Sequence, residues 1–248
     1  MNFLIFGKER PKLSFEQDPE EGTVIRCDNK YVLDYDPKKP ITWRDIGEKF
    51  EGISFESERD SVVEKLKKLC QTDEERMFLT KFVEEQQSLK FITYRTDKLG
   101  LPHNFNDWGI EAKEEFYKAM LDEPALIPQV WVNWIHYDPR DKERAKRRGL
   151  EPFRVDFLFQ GETSFFEEFR KIVVEVDNIW HVADFEGDVD SFLKSPRAKP
   201  SLTKFTEHLR KDRWLRRHGW EVCRFSTLEV EKESSEYLYS EMCGYIAE

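Results

Sequence analysis

Two acids stand two residues apart in an otherwise apolar run, Val173-Val174-Glu175-Val176-Asp177, and a third, Asp156, sits between Val155 and Phe157. In extended chain, residues i and i+2 face the same side, so Glu175 and Asp177 share one environment. A buried carboxylate costs roughly several kcal/mol unless it is paired or bound to a metal. If the two strands are neighbours, Asp156, Glu175 and Asp177 offer hard oxygen ligands from one face, a set that suits Mg²⁺ or Mn²⁺ better than zinc. A cation held this way lowers the pKa of a bound water and offsets charge on a phosphate under attack, so the chemistry predicted is phosphodiester hydrolysis. The competing reading is structural: acids near strand ends meet solvent or pair with a basic neighbour, here Arg154 or Lys171.

The net charge of −10 over 248 residues is unfavourable to nucleic-acid binding by the chain as a whole, because phosphate binding depends on Lys and Arg displacing counterions. The charge is unevenly spread. Lys194 to Arg224 holds ten Lys or Arg against three acids, whereas residues 1–125 hold 20 basic and 27 acidic side chains. The basic stretch predicts a local groove in which Arg210, Lys211, Arg213 and Arg217 contact backbone phosphates, which position a nucleic acid without reading its sequence. A merely solvated helix face would carry the same pattern. Trp214 and Trp220 fall in the apolar register with Leu215 and Val222 and read as core.

The elements that must hold these groups form an α/β fold, read as a small N-terminal accessory α/β region over 1–104 and a second region over 105–248. In the first, two β-rich runs flank Asp28-Asn29, a pair suited to a tight hairpin turn. Thr42, Ser57 and Thr72 each precede an acid three residues on and predict helix starts. Nothing in residues 1–100 converges on chemistry. In the second, helical spacing runs over 109–121, strands are expected at 128–135, 153–159 and 170–177, and a charged excursion separates the first two. Ser201 opens a basic helix that Gly219 closes in left-handed conformation, a strand follows, and Thr227 caps a last helix. Helix, three strands, helix, strand, helix predicts a sheet covered on both sides. No run approaches the roughly 18 apolar residues of a spanning helix, and residues 1–12 lack the pattern of a signal peptide; a cytoplasmic protein without a membrane partner is expected. Cys27, Cys70, Cys223 and Cys243 show no spacing for zinc or a disulfide framework.

The succession of an acid-bearing helix, a "PQ" strand, "RVDFLF", "IVVEVDNIWH" and "HLRKDRWLRRHGWEVCRFS" resembles the PD-(D/E)XK restriction-endonuclease-like superfamily, nearest its very-short-patch-repair-like small endonucleases, over about residues 109–228. The resemblance implies a mixed central sheet flanked by helices and a Mg²⁺- or Mn²⁺-dependent endonuclease, acting on DNA in preference to RNA, in defence against foreign DNA. It implies Asp156 as the first metal-binding acid, Glu175 as the acid of the E-x-K element, and Glu114 as the additional metal-binding acid, with Glu111, Glu115 and Glu75 as rivals. The family's lysine position is occupied by Asp177. Some branches carry E-x-D followed by a histidine, which His181 fits, as a group that polarises water or bonds a phosphate. Lys211, Arg210 or Arg213 would then supply the missing cation, and Gln129 would orient a ligand or the attacking water. The alternative is a catalytically inactive nuclease-fold module that binds nucleic acid, or a partner protein through the acidic N-terminal region. A homodimer would be needed to cut both strands symmetrically.

Overall fold

The computed structural model describes residues 3–11, 13–18, 22–27, 31–34, 36–50, 58–98, 100–132, 152–162, 169–178, 183–185 and 198–243. Six strands form a mixed sheet: β1 (Phe3–Phe6), β4 (Val32–Asp34), β5 (Leu126–Val132), β6 (Phe153–Gly161), β7 (Arg170–Asp177) and β10 (Glu221–Ser226), in the order β10-β7-β6-β5-β1-β4. All neighbours are antiparallel except β7 and β10. A parallel pair needs a crossover, and helix α5 (Leu202–Arg217) lies in the connection between them. Two further antiparallel pairs stand apart from this sheet: β2 (Leu13–Asp18) with β3 (Gly22–Cys27), and β8 (Ala183–Phe185) with β9 (Ala198–Pro200).

The two faces of the sheet follow from alternation. In β6, Val155, Phe157 and Phe159 point one way while Asp156, Leu158 and Gln160 point the other. The first face is covered by α3 (Asp73–Asp97), whose Phe78 packs 5.5 Å from Phe157 and 5.1 Å from Phe225 between ring centroids, and whose Phe82 packs 6.0 Å from Phe159. Burying each such ring stabilises the fold by roughly 1.5–3 kcal/mol. Helices α6 (Thr227–Lys232) and α7 (Ser235–Cys243) extend that layer, tied to α3 by Lys81 Nζ, which donates to the carbonyls of Val230 and Glu233. The opposite face receives α5, through the buried Leu215 and the charged groups described below.

Helices α1 (Trp43–Gly47) and α2 (Glu58–Leu69) pack beside α3 over Trp43, Ile46, Val62 and Leu66. A buried polar cluster joins them: Gln86 Oε1 accepts from Trp43 Nε1 and Arg59 Nη2, while Gln86 Nε2 donates to the Pro124 carbonyl ahead of β5. Helix α4 (Ile110–Leu121) closes a satellite aromatic cluster of Phe91, Tyr94, Phe105, Trp108 and Phe116 at the far end of α3. Among the described residues no helix is long and apolar enough to cross a membrane.

The expected mixed α/β fold is therefore present, with instructive differences. The runs flanking Asp28-Asn29 are not partners: β3 pairs with β2, and β4 with β1, while residues 28–30 lie outside the described ones. The apolar stretch from Phe3 to Phe6 is a strand of the main sheet, so sheet and core run across the expected boundary at 104/105. The Thr42 and Thr72 caps form as read; Ser57 and most of the charged excursion lie outside the described residues. The cap expected at Thr227 belongs to Ser226, whose hydroxyl takes the Glu229 N–H. Gly219 adopts a φ of +79°, the left-handed conformation expected after the basic helix.

Candidate active site

The ladder between β6 and β7 ends at Phe157 and Val174. One step further in the same register, Asp156 stands opposite Glu175, and here the side chain replaces the ladder: Asp156 Oδ2 accepts the Val176 N–H at 2.8 Å. Glu175 pairs in turn with Arg224 of β10. On the other side, the β5–β6 register places Gln129 opposite Asp156, flanked by the paired Pro128 and Val130. Gln129, Asp156, Glu175 and Arg224 thus form one row across four strands.

Each member of the row meets a distinct environment. Glu175 is 3 % exposed, and Lys211 of α5 reaches down to place Nζ 2.6 Å from its Oε1. Burial raises the Glu175 carboxyl to about 7; Lys211 opposes that rise and the Asp156 charge adds to it. Asp177, on the same face but less buried, pairs with Arg224 at 2.6 Å and lies 3.9 Å from His208 Nδ1. Arg224 also grips Asp212 of α5, Nη2 to Oδ1 at 2.6 Å and Nε to Oδ2 at 3.3 Å, and its Nη1 lies 3.2 Å from His208 Nδ1. Burial alone would lower the proton affinity of Arg224, but the hydrogen bonds to Asp212 and Asp177 outweigh it and hold the guanidinium above its ordinary value. The side chain therefore ties α5 to both β7 and β10.

Gln129 is fully buried and has a φ of +56°, which breaks the alternation of β5. Its Nε2 donates to Glu75 Oε2 at 2.8 Å, whereas its Oε1 has no hydrogen-bond partner among the described residues. Glu75 sits in the first turn of α3, itself 4 % exposed, where its carboxylate also accepts the Gln71 N–H at 2.6 Å. Burial lifts the Glu75 carboxyl above the usual range, against the Gln71 N–H and the Arg154 charge. Arg154, two residues before Asp156, donates to the Lys8 carbonyl and lies in the field of Asp156, Glu75 and Glu175; burial lowers its guanidinium.

The residues expected from the sequence divide as follows. Asp156, Glu175, Asp177, Gln129 and Lys211 converge. Glu114 does not. Its neighbour Glu115 accepts from Tyr94 Oη and Lys98 Nζ, both at 3.0 Å, which fixes α4 against the last turns of α3. Glu75 and Tyr94 are separated by ~28 Å along the helix axis at 1.5 Å per residue, so the helix acid next to the row is Glu75, while Glu114 is exposed elsewhere. His181 lies outside the described residues.

The basic helix also divides. At 100° per residue, His208, Lys211, Asp212 and Leu215 share the inner side of α5, and Arg210, Arg213 and Arg217 form an exposed stripe on the opposite side, about one helix diameter, ~10 Å, away. Asp212 on the inner side is bound to Arg224. Sequence reasoning does not single out His208, and it counts Arg224 only as part of the basic stretch. For His208 a signal existed, since it lies three and four residues before Lys211 and Asp212.

A divalent cation at this row would draw on two carboxylates, Asp156 and Glu175, which the register sets opposite one another. Mg²⁺ is commonly held by one or two carboxylates with water and substrate phosphates completing its shell; Asp156 and Glu175 are such a pair, and the Gln129 Oε1 of the same row is buried without a hydrogen-bond partner among the described residues. Among the described residues no group of three or more His, Cys, Asp or Glu side chains is placed to hold a metal ion. Comparison of the chain with protein-family models, curated proteins and solved structures finds no match.

Proposed function

We propose that this protein hydrolyses phosphodiester bonds in nucleic acid, DNA in preference to RNA, with Mg²⁺ or Mn²⁺ held on a restriction-endonuclease-like core of the PD-(D/E)XK type. The observation that carries the reading is the opposition of Asp156 and Glu175 where two central strands part, with Lys211 delivered to Glu175 by the crossover helix. Asp156 and Glu175 would hold the cation, which when bound activates water and offsets charge on the phosphate. Lys211 supplies from the helix the ammonium that the strand position occupied by Asp177 lacks. Asp177 anchors Arg224, and through Asp212 that arginine holds the inner side of α5 over the row. Glu75 aligns the Gln129 amide, leaving its oxygen to receive a water or a ligand. The outer stripe of Arg210, Arg213 and Arg217 is suited to phosphates along the strand rather than to the reacting one. Defence against foreign DNA is the role this activity fits.

The test is incubation of the purified chain with supercoiled plasmid, linear duplex, single-stranded DNA and RNA in Mg²⁺, Mn²⁺ or EDTA, beside Asp156→Ala and Glu175→Ala. Metal-dependent products lost in both folded variants are expected. Products that persist in both variants would remove the mechanism, and their absence from every substrate and metal would turn the reading towards a binding module.

A further inference from the structure

The Lys211–Glu175 contact bears on how such a site would be loaded. Glu175 is 3 % exposed and its Oε1 stands 2.6 Å from Lys211 Nζ, so the ammonium occupies the place beside this oxygen that a cation would take. The lysine is not there by chance of a mobile surface chain. Its neighbour Asp212 is bound through both oxygens to Arg224, which is bound in turn to Asp177 of β7, so the helix turn that carries Lys211 is fixed over the sheet. Only the four-carbon stem is left to move.

We propose that Lys211 is a placeholder cation: it neutralises Glu175 in the unloaded protein and transfers its ammonium to a phosphate oxygen when nucleic acid arrives, so that divalent metal and phosphodiester load together. This rests on the function proposed above and adds regulation of the same site. A buried carboxylate left without a counter-charge is costly, and the pairing removes that cost in the unloaded state. It also makes the lysine a competitor of the metal for one oxygen. Two ligands that each relieve the same contact strengthen one another's binding, and by linkage the coupling is reciprocal.

Calorimetric titration of the full chain with MgCl₂ at pH 8, where a proton competes less for Glu175, tests the competition. Lys211→Met is expected to bind Mg²⁺ about tenfold more tightly than the unaltered chain, the scale of one charge-assisted contact, and Lys211→Met combined with Glu175→Gln is expected to lose that gain. Equal or weaker binding in Lys211→Met, with binding in the unaltered chain abolished by Glu175→Gln, would overturn the placeholder while leaving a metal site at Glu175. No binding in any of these proteins would overturn the placeholder and the metal-dependent reading together. A second measurement needs no variant: acetic anhydride labelling read by mass spectrometry should show Lys211 acylated faster when Mg²⁺ is added. Unchanged Lys211 labelling under conditions where calorimetry detects Mg²⁺ binding at Glu175 would also overturn it.

Discussion

The two faces of the central sheet are built from alternate residues of the same strands, yet they follow different physics. Phe157 and Phe159 meet Phe78 and Phe82 in a dry aromatic layer whose energy is area and close packing. Glu175, Asp177 and Arg224, one residue out of phase, meet charged groups of α5 in a network whose energy depends on every charge having its partner, and Asp156 beside them takes the Val176 N–H. One face holds the sheet together; the other keeps costly groups at fixed positions. A single strand can do both because its period of two separates them completely.

The largest effect that would sharpen this contrast is on the aromatic side. Phe78→Ala, at a site 1 % exposed and shared by Phe157 and Phe225, should cost about 3–5 kcal/mol in denaturant unfolding. A loss below about 1 kcal/mol would show that α3 is not the main cover of this face. On the charged side, Asp156→Asn keeps an oxygen to accept the Val176 N–H and should leave the melting temperature nearly unchanged while lowering cleavage by about 10²–10³-fold. If unfolding and cleavage fall together, the division between faces fails.

A smaller effect concerns pH. Burial raises the Glu175 carboxyl to about 7 in the folded chain, against an ordinary value near 4.5. Its contribution to the stability of the metal-free protein is thus complete below the ordinary value and is lost as pH rises through about 7. Thermal unfolding in EDTA from pH 4 to 8.5 should show this decline, and Glu175→Gln should flatten it. A slope unchanged in that variant would assign the titration to another group. The smallest effects distinguish two acids. Glu75→Gln, beside Gln129, should reduce cleavage by about tenfold, whereas Glu114→Gln, exposed on α4, should alter neither cleavage nor stability beyond about 0.5 kcal/mol. The reverse result would restore Glu114 to the site.

What was legible in the sequence was chiefly what local pattern controls. Alternation around Asp156 and Glu175 placed both acids on one face, and helical spacing with Gly219 gave the extent of α5. What was not legible depended on long-range pairing. Phe3 to Phe6 is too short to declare its partner, and β4 pairs with it rather than with β3, the strand before it in the chain. Glu75 was read through Thr72 as part of a helix cap, and that cap exists; its second role arises only because Gln129, 54 residues later, leaves the strand register. Arg224 was counted among the basic residues of a groove, although its charge is spent on Asp177 and Asp212. A sequence counts charges without showing which of them are already paired.

Strand β1 has a consequence for synthesis. Its one edge, against β4, can form as soon as β4 has been made, since Ile5 pairs with Val32. Its other edge pairs Ile5 with Trp131, roughly 125 residues later. At about 5–20 residues per second on the ribosome, that partner emerges some 6–25 seconds afterwards. From the completion of β4 until then the nascent chain displays a half-paired apolar ribbon, the kind of edge that invites wrong partners. Strand β1 precedes both of its partners in the chain and is therefore enclosed only when the later of them, β5, has been made.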